Sequence, residues 1–245
     1  MPGDERTPPE DLLNGVPPVV AEGELAILGL LPRSSNYTFL ARATLGADEA
    51  LVVYKPRRGE TPLWDFPDGT LCQREVAAYV TARALGWPNV PPTVLREGPE
   101  GPGSVQLFVG FDPNEHYFTL QDRLADEFRK VALFDVVVNN ADRKSGHCLM
   151  GRDGRVWVVD HGVCFSDEEK LRTVIWDFAG EPISPGLRRD LRRLGDDLEE
   201  RLRPTLAGLL SGNELAAIGD RLEEVLSFGA FPEPGAHRPF PWPPV

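Results

Sequence analysis

One stretch constrains this chain more than any other: LFDVVVNNADRKSGHCLM, then VWVVDHG, between residues 133 and 162. An apolar run with helical spacing stops abruptly in a polar cluster, Asn139–His147. A short hairpin follows, with Cys148–Met150 and Arg155–Val159 on either side of the turn Gly151–Gly154. Its second strand ends in Asp160, and a carboxylate there must meet a cation or a metal to offset its desolvation. Gly162, two residues on, permits backbone conformations that other residues resist. The hairpin brings Asp142 close to Asp160. A polar loop held between packed elements is a place where chemistry is commonly built.

The rest of the chain sorts around this block. Residues 1–21 are acidic and Pro-rich and read as a flexible lead-in. Glu24–Leu31, Tyr37–Thr44 and Ala50–Tyr54 read as successive antiparallel strands, the last leading into Lys55. Pro56–Thr70 reads as a loop anchored by Trp64 and Phe66. Leu71–Leu85 has helical spacing and is stopped by Gly86 and Pro88. Val94–Leu95 and Ser104–Val109 add two strands. From Phe111 the pattern turns helical, with a long amphipathic run over Leu120–Val138. Residues 187–227 are mostly helical, with a break expected at Pro204 and a capping box at Ser211–Glu214. Residues 231–245 form a Pro-rich aromatic tail. The expectation is an α+β, bilobal chain: a small antiparallel β-lobe with one helix over 22–110, then a mainly helical lobe over 111–230, with a hinge near Gly110.

Composition excludes some functions. Acids number 38 against 26 Lys plus Arg, a formal charge of −12. Such acidity disfavours nucleic acid and stable association with anionic membranes. The N-terminus has no basic segment followed by an apolar one, so no signal peptide is expected. Cys72, Cys148 and Cys164 are odd in number and widely spaced, which fits reduced thiols in a cytoplasmic protein.

Four charged positions stand in a fixed order: Lys55 on a strand, Glu75 on the next helix, Asp142 after a buried helix, Asp160 after the hairpin. Singly, each has an ordinary explanation: a strand-end Lys, a solvated helical Glu, an Asx-turn and a strand-end cap. Together they fit phosphoryl transfer, which needs a cation on the nucleotide phosphates, a carboxylate that orients the acceptor hydroxyl, and a carboxylate for the metal.

On these motifs the chain resembles the protein-kinase-like superfamily, in the atypical branch of phosphatidylinositol 3-/4-kinases and HipA-type kinases. More narrowly, it resembles an actinobacterial phosphatidylinositol 3-/4-kinase-like family. The resemblance covers residues 22–230, is strongest over 133–162, and is supported by REVAAYVTARALGWPNVPPTV. It implies ATP and Mg²⁺, with Mn²⁺ as a second option. It also implies that Lys55 meets the α/β-phosphates and pairs with Glu75. Asp142 would be the catalytic Asp, Lys144 would meet the γ-phosphate, and Asp160 would hold the metal. Phe108, Val109 and Gly110 would form the hinge that meets adenine.

The sequence departs from that pattern in three places. His147 stands where a metal-binding Asn is expected, and Mg²⁺ prefers oxygen ligands. The metal motif reads Asp160-His161-Gly162. No Gly-rich loop precedes Lys55; Ser34, Ser35 and Asn36 occupy the turn, either to hold phosphates or as an ordinary polar turn. Three readings follow: a phosphotransferase acting on a protein or small-molecule hydroxyl rather than a membrane lipid; a pseudokinase that binds nucleotide as a regulator or scaffold; or a metal hydrolase using His147, Cys148, Asp160, His161 and Cys164. The acceptor, the metal count and the oligomeric state are not encoded in any motif.

Overall fold

The computed structural model describes residues 12, 15–32, 36–235 and 238–245. After a short helix α1 (Pro18–Glu22), strands β1 (Glu24–Leu30), β2 (Phe39–Leu45) and β3 (Asp48–Pro56) form an antiparallel meander. Helix α2 (Leu71–Leu85) follows, then β4 (Thr93–Gly98) and β5 (Gly101–Leu107). The five strands make one antiparallel sheet in the order β1-β2-β3-β5-β4, with α2 packed against β4 and β5. Strand alternation decides where Lys55 points. Val52, Tyr54 and Pro56 turn into the core, so Val53 and Lys55 face the opposite side. The register Lys55↔Ser104 sets Lys55 opposite the middle of β5.

Helix α2 has the expected bounds. Gly86 ends it at φ 89, and its N–H bonds to the Ala82 carbonyl. A residue with a Cβ rarely takes that conformation.

The second half is α3 (Tyr117–Leu120), α4 (Ala125–Val138), the hairpin β6 (Cys148–Met150) and β7 (Val156–Val158), then α5 (Pro185–Asp197), α6 (Arg203–Leu206) and α7 (Gly212–Phe228). Three expectations need correction here. The run Leu120–Val138 is not one helix: the chain turns between α3 and α4, which lets Tyr117, Leu120 and Phe128 meet in one core, the two rings 4.9 Å apart edge to face. The break at Pro204 is displaced. A π-turn, Leu198–Leu202, precedes it, and the chain leaves the helix after α6. Pro204 has no N–H to give the carbonyl four residues back, so the helix widens upstream of it. Trp64 also differs: Phe66 is buried, but Trp64 is 92% exposed, with the Lys170 ammonium 5.4 Å from its ring centre.

The capping box at Ser211 is present. Ser211 Oγ accepts from Glu214 N–H, and Glu214 Oε2 accepts from Ser211 N–H at 2.7 Å. The tail packs back on the body. The Pro239 carbonyl accepts from Thr173 N–H and Trp176 Nε1–H, and the Pro244 carbonyl from Ser145 N–H.

Candidate active site

A cleft of about 310 Å³ opens between the sheet and the hairpin. Leu31, Val53, Leu107 and Phe108 line one side; Leu149 and Val159 line the other. Lys55, His147 and Asp160 project into its polar end.

Lys55 is the hub. Its Nζ bonds to Glu75 Oε1 and lies 2.8 Å from Asp160 Oδ1. Glu75 is buried on α2, and its second oxygen accepts from the His161 N–H at 3.0 Å. The sequence placed these charges 20 and 105 residues apart, and the fold joins them. Burial opposes the charge on Lys55, but Asp160 and Glu75 outweigh it and raise the ammonium above its ordinary range. The same ammonium, working against burial, holds the Asp160 carboxyl well below the usual carboxylate range. Asp160 therefore stays ionised, and its side chain keeps 50% of its surface exposed to the cleft.

Asp142 and Lys144 sit beside this cluster, Nζ to Oδ2 3.0 Å apart. Burial raises the Asp142 carboxyl, and Lys144 opposes it. The Asn140 side-chain oxygen accepts from Asp142 N–H at 3.0 Å and fixes the loop. Asp142 stays partly accessible, at 32% for its side chain.

His147 lies with Nε2 3.3 Å from Asp160 Oδ2, and its Nδ1 accepts from Lys144 N–H at 3.4 Å. A neutral imidazole that accepts at Nδ1 carries its proton on Nε2. In that tautomer the atom facing Asp160 is an N–H and offers no lone pair to a cation. Burial lowers the ring to about 4, so it is neutral at pH 7. The donor set suits a hard cation at Asp160, whose oxygens are ionised and exposed. His147 fits as a neighbour of that carboxylate, and would need the other tautomer to act as a ligand. Among the described residues there is no group of three or more His, Cys, Asp or Glu that could hold a metal.

The remaining expected residues fall as follows. Phe108 and Val109 line the cleft. Among the described residues, no backbone bond uses the Phe108 carbonyl or the Val109 N–H, which leaves an open donor–acceptor edge there. Gly110 turns away, and its carbonyl accepts from Arg152 N–H. The Asn36 side-chain oxygen accepts from Thr61 N–H at 2.7 Å. Ser34 and Ser35 lie outside the described residues. Cys148 and Cys164 are buried, and burial pushes both thiols up, away from the thiolate a metal would need.

Sequence reasoning missed Asp135 and Arg143. Arg143 is wholly buried and forms a forked ion pair with Asp135 of α4, as close as 2.9 Å. No regular spacing relates the two in the sequence, since they lie eight residues apart across the end of α4.

No family model matches the chain. Protein Rv2133c of Mycobacterium tuberculosis is 42% identical to it over 260 aligned residues, covering 92% of this chain and 94% of that protein. The chain belongs to the Rv2133c family. Part of it is also similar to plant kinases. Phosphatidylinositol 4-kinase gamma 4 of rice is 32% identical over 136 residues, which is 46% of this chain and 24% of that protein. Phosphatidylinositol 4-kinase gamma 3 of Arabidopsis thaliana is 28% identical over 146 residues. The chain spans only about a quarter of the length of these kinases. Among solved structures, the Helicobacter pylori proinflammatory kinase CtkA aligns over 86% of this chain and 94% of its own, at 12% identity and a TM-score of 0.49.

Proposed function

We propose that this member of the Rv2133c family is an ATP-dependent phosphotransferase, an atypical kinase that moves a γ-phosphoryl group to a hydroxyl acceptor. One observation carries the reading. The Lys55 ammonium is shared between buried Glu75 and the ionised Asp160 at the polar end of a cleft whose other end is apolar. That arrangement suits a nucleotide, with its base among Val53, Leu107 and Phe108 and its phosphates at Lys55. The partial similarity to named kinases agrees with it.

Each group then has a task. Lys55 neutralises phosphate charge, and Glu75 holds it in place. Asp160 would hold Mg²⁺ or Mn²⁺, which supplies further neutralisation of charge on the phosphates. Asp142 takes the acceptor hydroxyl as a hydrogen-bond donor and receives its proton. The raised carboxyl improves it as a proton acceptor. Lys144 would meet the transferred group. Positioning and charge supply most of the rate in this chemistry.

A small molecule or protein hydroxyl is the preferred acceptor. The same proposal places the chain in the cytoplasm, a reading that the three buried free thiols support. Among the described residues, no helix is long and apolar enough to cross a membrane. The second reading, a nucleotide-binding pseudokinase, draws on the His147 tautomer.

ATP turnover with Mg²⁺ or Mn²⁺ tests the proposal, with Asp142→Ala as the control. We expect turnover that falls about a hundredfold or more in the variant, with nucleotide affinity retained. Binding without turnover in the parent chain would favour the pseudokinase.

A further inference from the structure

The backbone at Asp160 is unusual. Its φ is 63, in the left-handed region that non-glycine residues seldom enter. Such a residue persists only where its surroundings fix it from several sides. We propose that Arg143 is the positioning residue that fixes it, gripping the chain on both sides of Asp160 with His161 as its second handle. The proposal rests on the reading of Asp160 as the cation-holding carboxylate.

The grip is visible atom by atom. Arg143 Nη1 donates to the Val159 carbonyl at 2.9 Å, one residue before Asp160. Arg143 Nη2 lies 2.8 Å from His161 Nε2, one residue after it. A guanidinium has no acceptor, so His161 Nε2 accepts and the ring proton sits on Nδ1. His161 Nδ1 is buried and has no partner among the described residues. An apolar ring would avoid that orphaned donor, so the imidazole earns its place through the bond to Arg143. The ring also meets Phe134 of α4 edge to face, at 5.6 Å.

Arg143 is itself held. Asp135 binds it through Nε and Nη2, with neither side chain exposed. From the opposite side, Glu75 accepts the His161 N–H. The turn is thus pinned by α4 through Asp135 and Arg143, and by α2 through Glu75. The charged group this leaves facing the cleft is the Asp160 carboxylate, next to the apolar Val159. Neither Arg143 nor Asp135 lines the cleft, so both act through Asp160 and not on a ligand.

Variants of the full chain test this. His161→Leu and His161→Phe remove the acceptor for Arg143. His161→Gln keeps one. Arg143→Lys keeps the charge for Asp135 but loses the fork. Two readouts apply: amide hydrogen exchange at His161 in the ligand-free protein, and affinity for a non-hydrolysable ATP analogue with and without Mn²⁺. In Leu, Phe and Lys variants we expect faster His161 exchange and loss of about tenfold or more of the Mn²⁺-dependent gain in affinity, the usual size of an outer-shell effect. Affinity without Mn²⁺ should stay unchanged, and His161→Gln should restore both readouts. Wild-type exchange and wild-type Mn²⁺ gain in the Leu and Phe variants would overturn the grip. If those two do not fold, Arg143→Lys decides by the same criteria. If the parent chain binds no nucleotide, the functional reading fails, while the exchange data still decide whether Arg143 and His161 hold the turn.

Discussion

Charge at single residues does two kinds of work in this cleft. Lys55 and Asp160 stay ionised because each faces the other. His147, beside them, stays neutral because burial outweighs the attraction of Asp160. The second case has a consequence for stability. The unfolded chain takes a proton on His147 as pH falls below about 6.5, whereas the folded chain resists until about 4. Between those values the unfolded state binds more protons, so stability falls with acidification. The full effect is of order 3 kcal/mol, reached near pH 4. Urea melts of the parent chain and of His147→Gln at pH 7 and pH 4.5 measure it. The parent should lose more stability than the variant over this interval; parallel losses would exclude His147 as the source. Lys55, Asp142 and Asp160 could be singled out because each sits at the edge of a periodic run, and Glu75 because it is a charge inside an apolar helix. Arg143 could not, because its partner Asp135 lies across a helix end at no regular spacing.

At the scale of elements, α2 is held from two directions by consecutive residues. Glu75 faces Lys55 behind the cleft. Arg74, 1% exposed, bonds to Glu214 at the start of α7 and to the Cys164 carbonyl. Glu214 is also the capping-box residue of α7, so one carboxylate closes that helix and docks it on α2. The bounds of α2 could be read from Gly86 and Pro88, and the α7 cap from Ser211 and Glu214. Their joining could not be read, since 140 residues separate Arg74 from Glu214 and nothing local relates them. The turn between α3 and α4 was hidden for a similar reason: tertiary packing of Tyr117 on Phe128 overrides a continuous apolar stripe. Glu214→Ala should therefore cost more than a surface cap. Losing the cap costs about 1 kcal/mol, and stranding a buried guanidinium brings the total to about 3–5 kcal/mol. Chemical denaturation reads this directly. A loss near that of the cap alone would show that Arg74 finds another partner.

For the whole molecule, the charge of −12 sets what the cleft can approach. Net acidity alone does not forbid a membrane substrate, because a local basic patch can dock an acidic protein. The sequence offers two candidate patches, Arg57–Arg58 and the arginines of α5. The fold gives most of them a partner of their own. Arg58 pairs with Glu100. On α5, Arg188 donates to the Leu226 carbonyl, Arg193 to the Leu85 carbonyl, and both Arg189 and Arg193 lie 3.7 Å from Asp190. A basic residue adds about 1 kcal/mol to binding an anionic surface only when its charge is free to face it. Arg58, Arg188, Arg189 and Arg193 pair with acids or with backbone carbonyls, so much of the attraction they could supply is cancelled, and the remaining excess of carboxylates repels. The expected result is that the chain stays in the supernatant when phosphatidylserine-rich vesicles are pelleted at physiological ionic strength, as it does with neutral vesicles. Lowering the salt should not bring it down, because weaker screening strengthens repulsion as well as attraction. Pelleting that grows as salt is lowered would reveal a cationic face and would move the acceptor from a free hydroxyl compound to a membrane lipid.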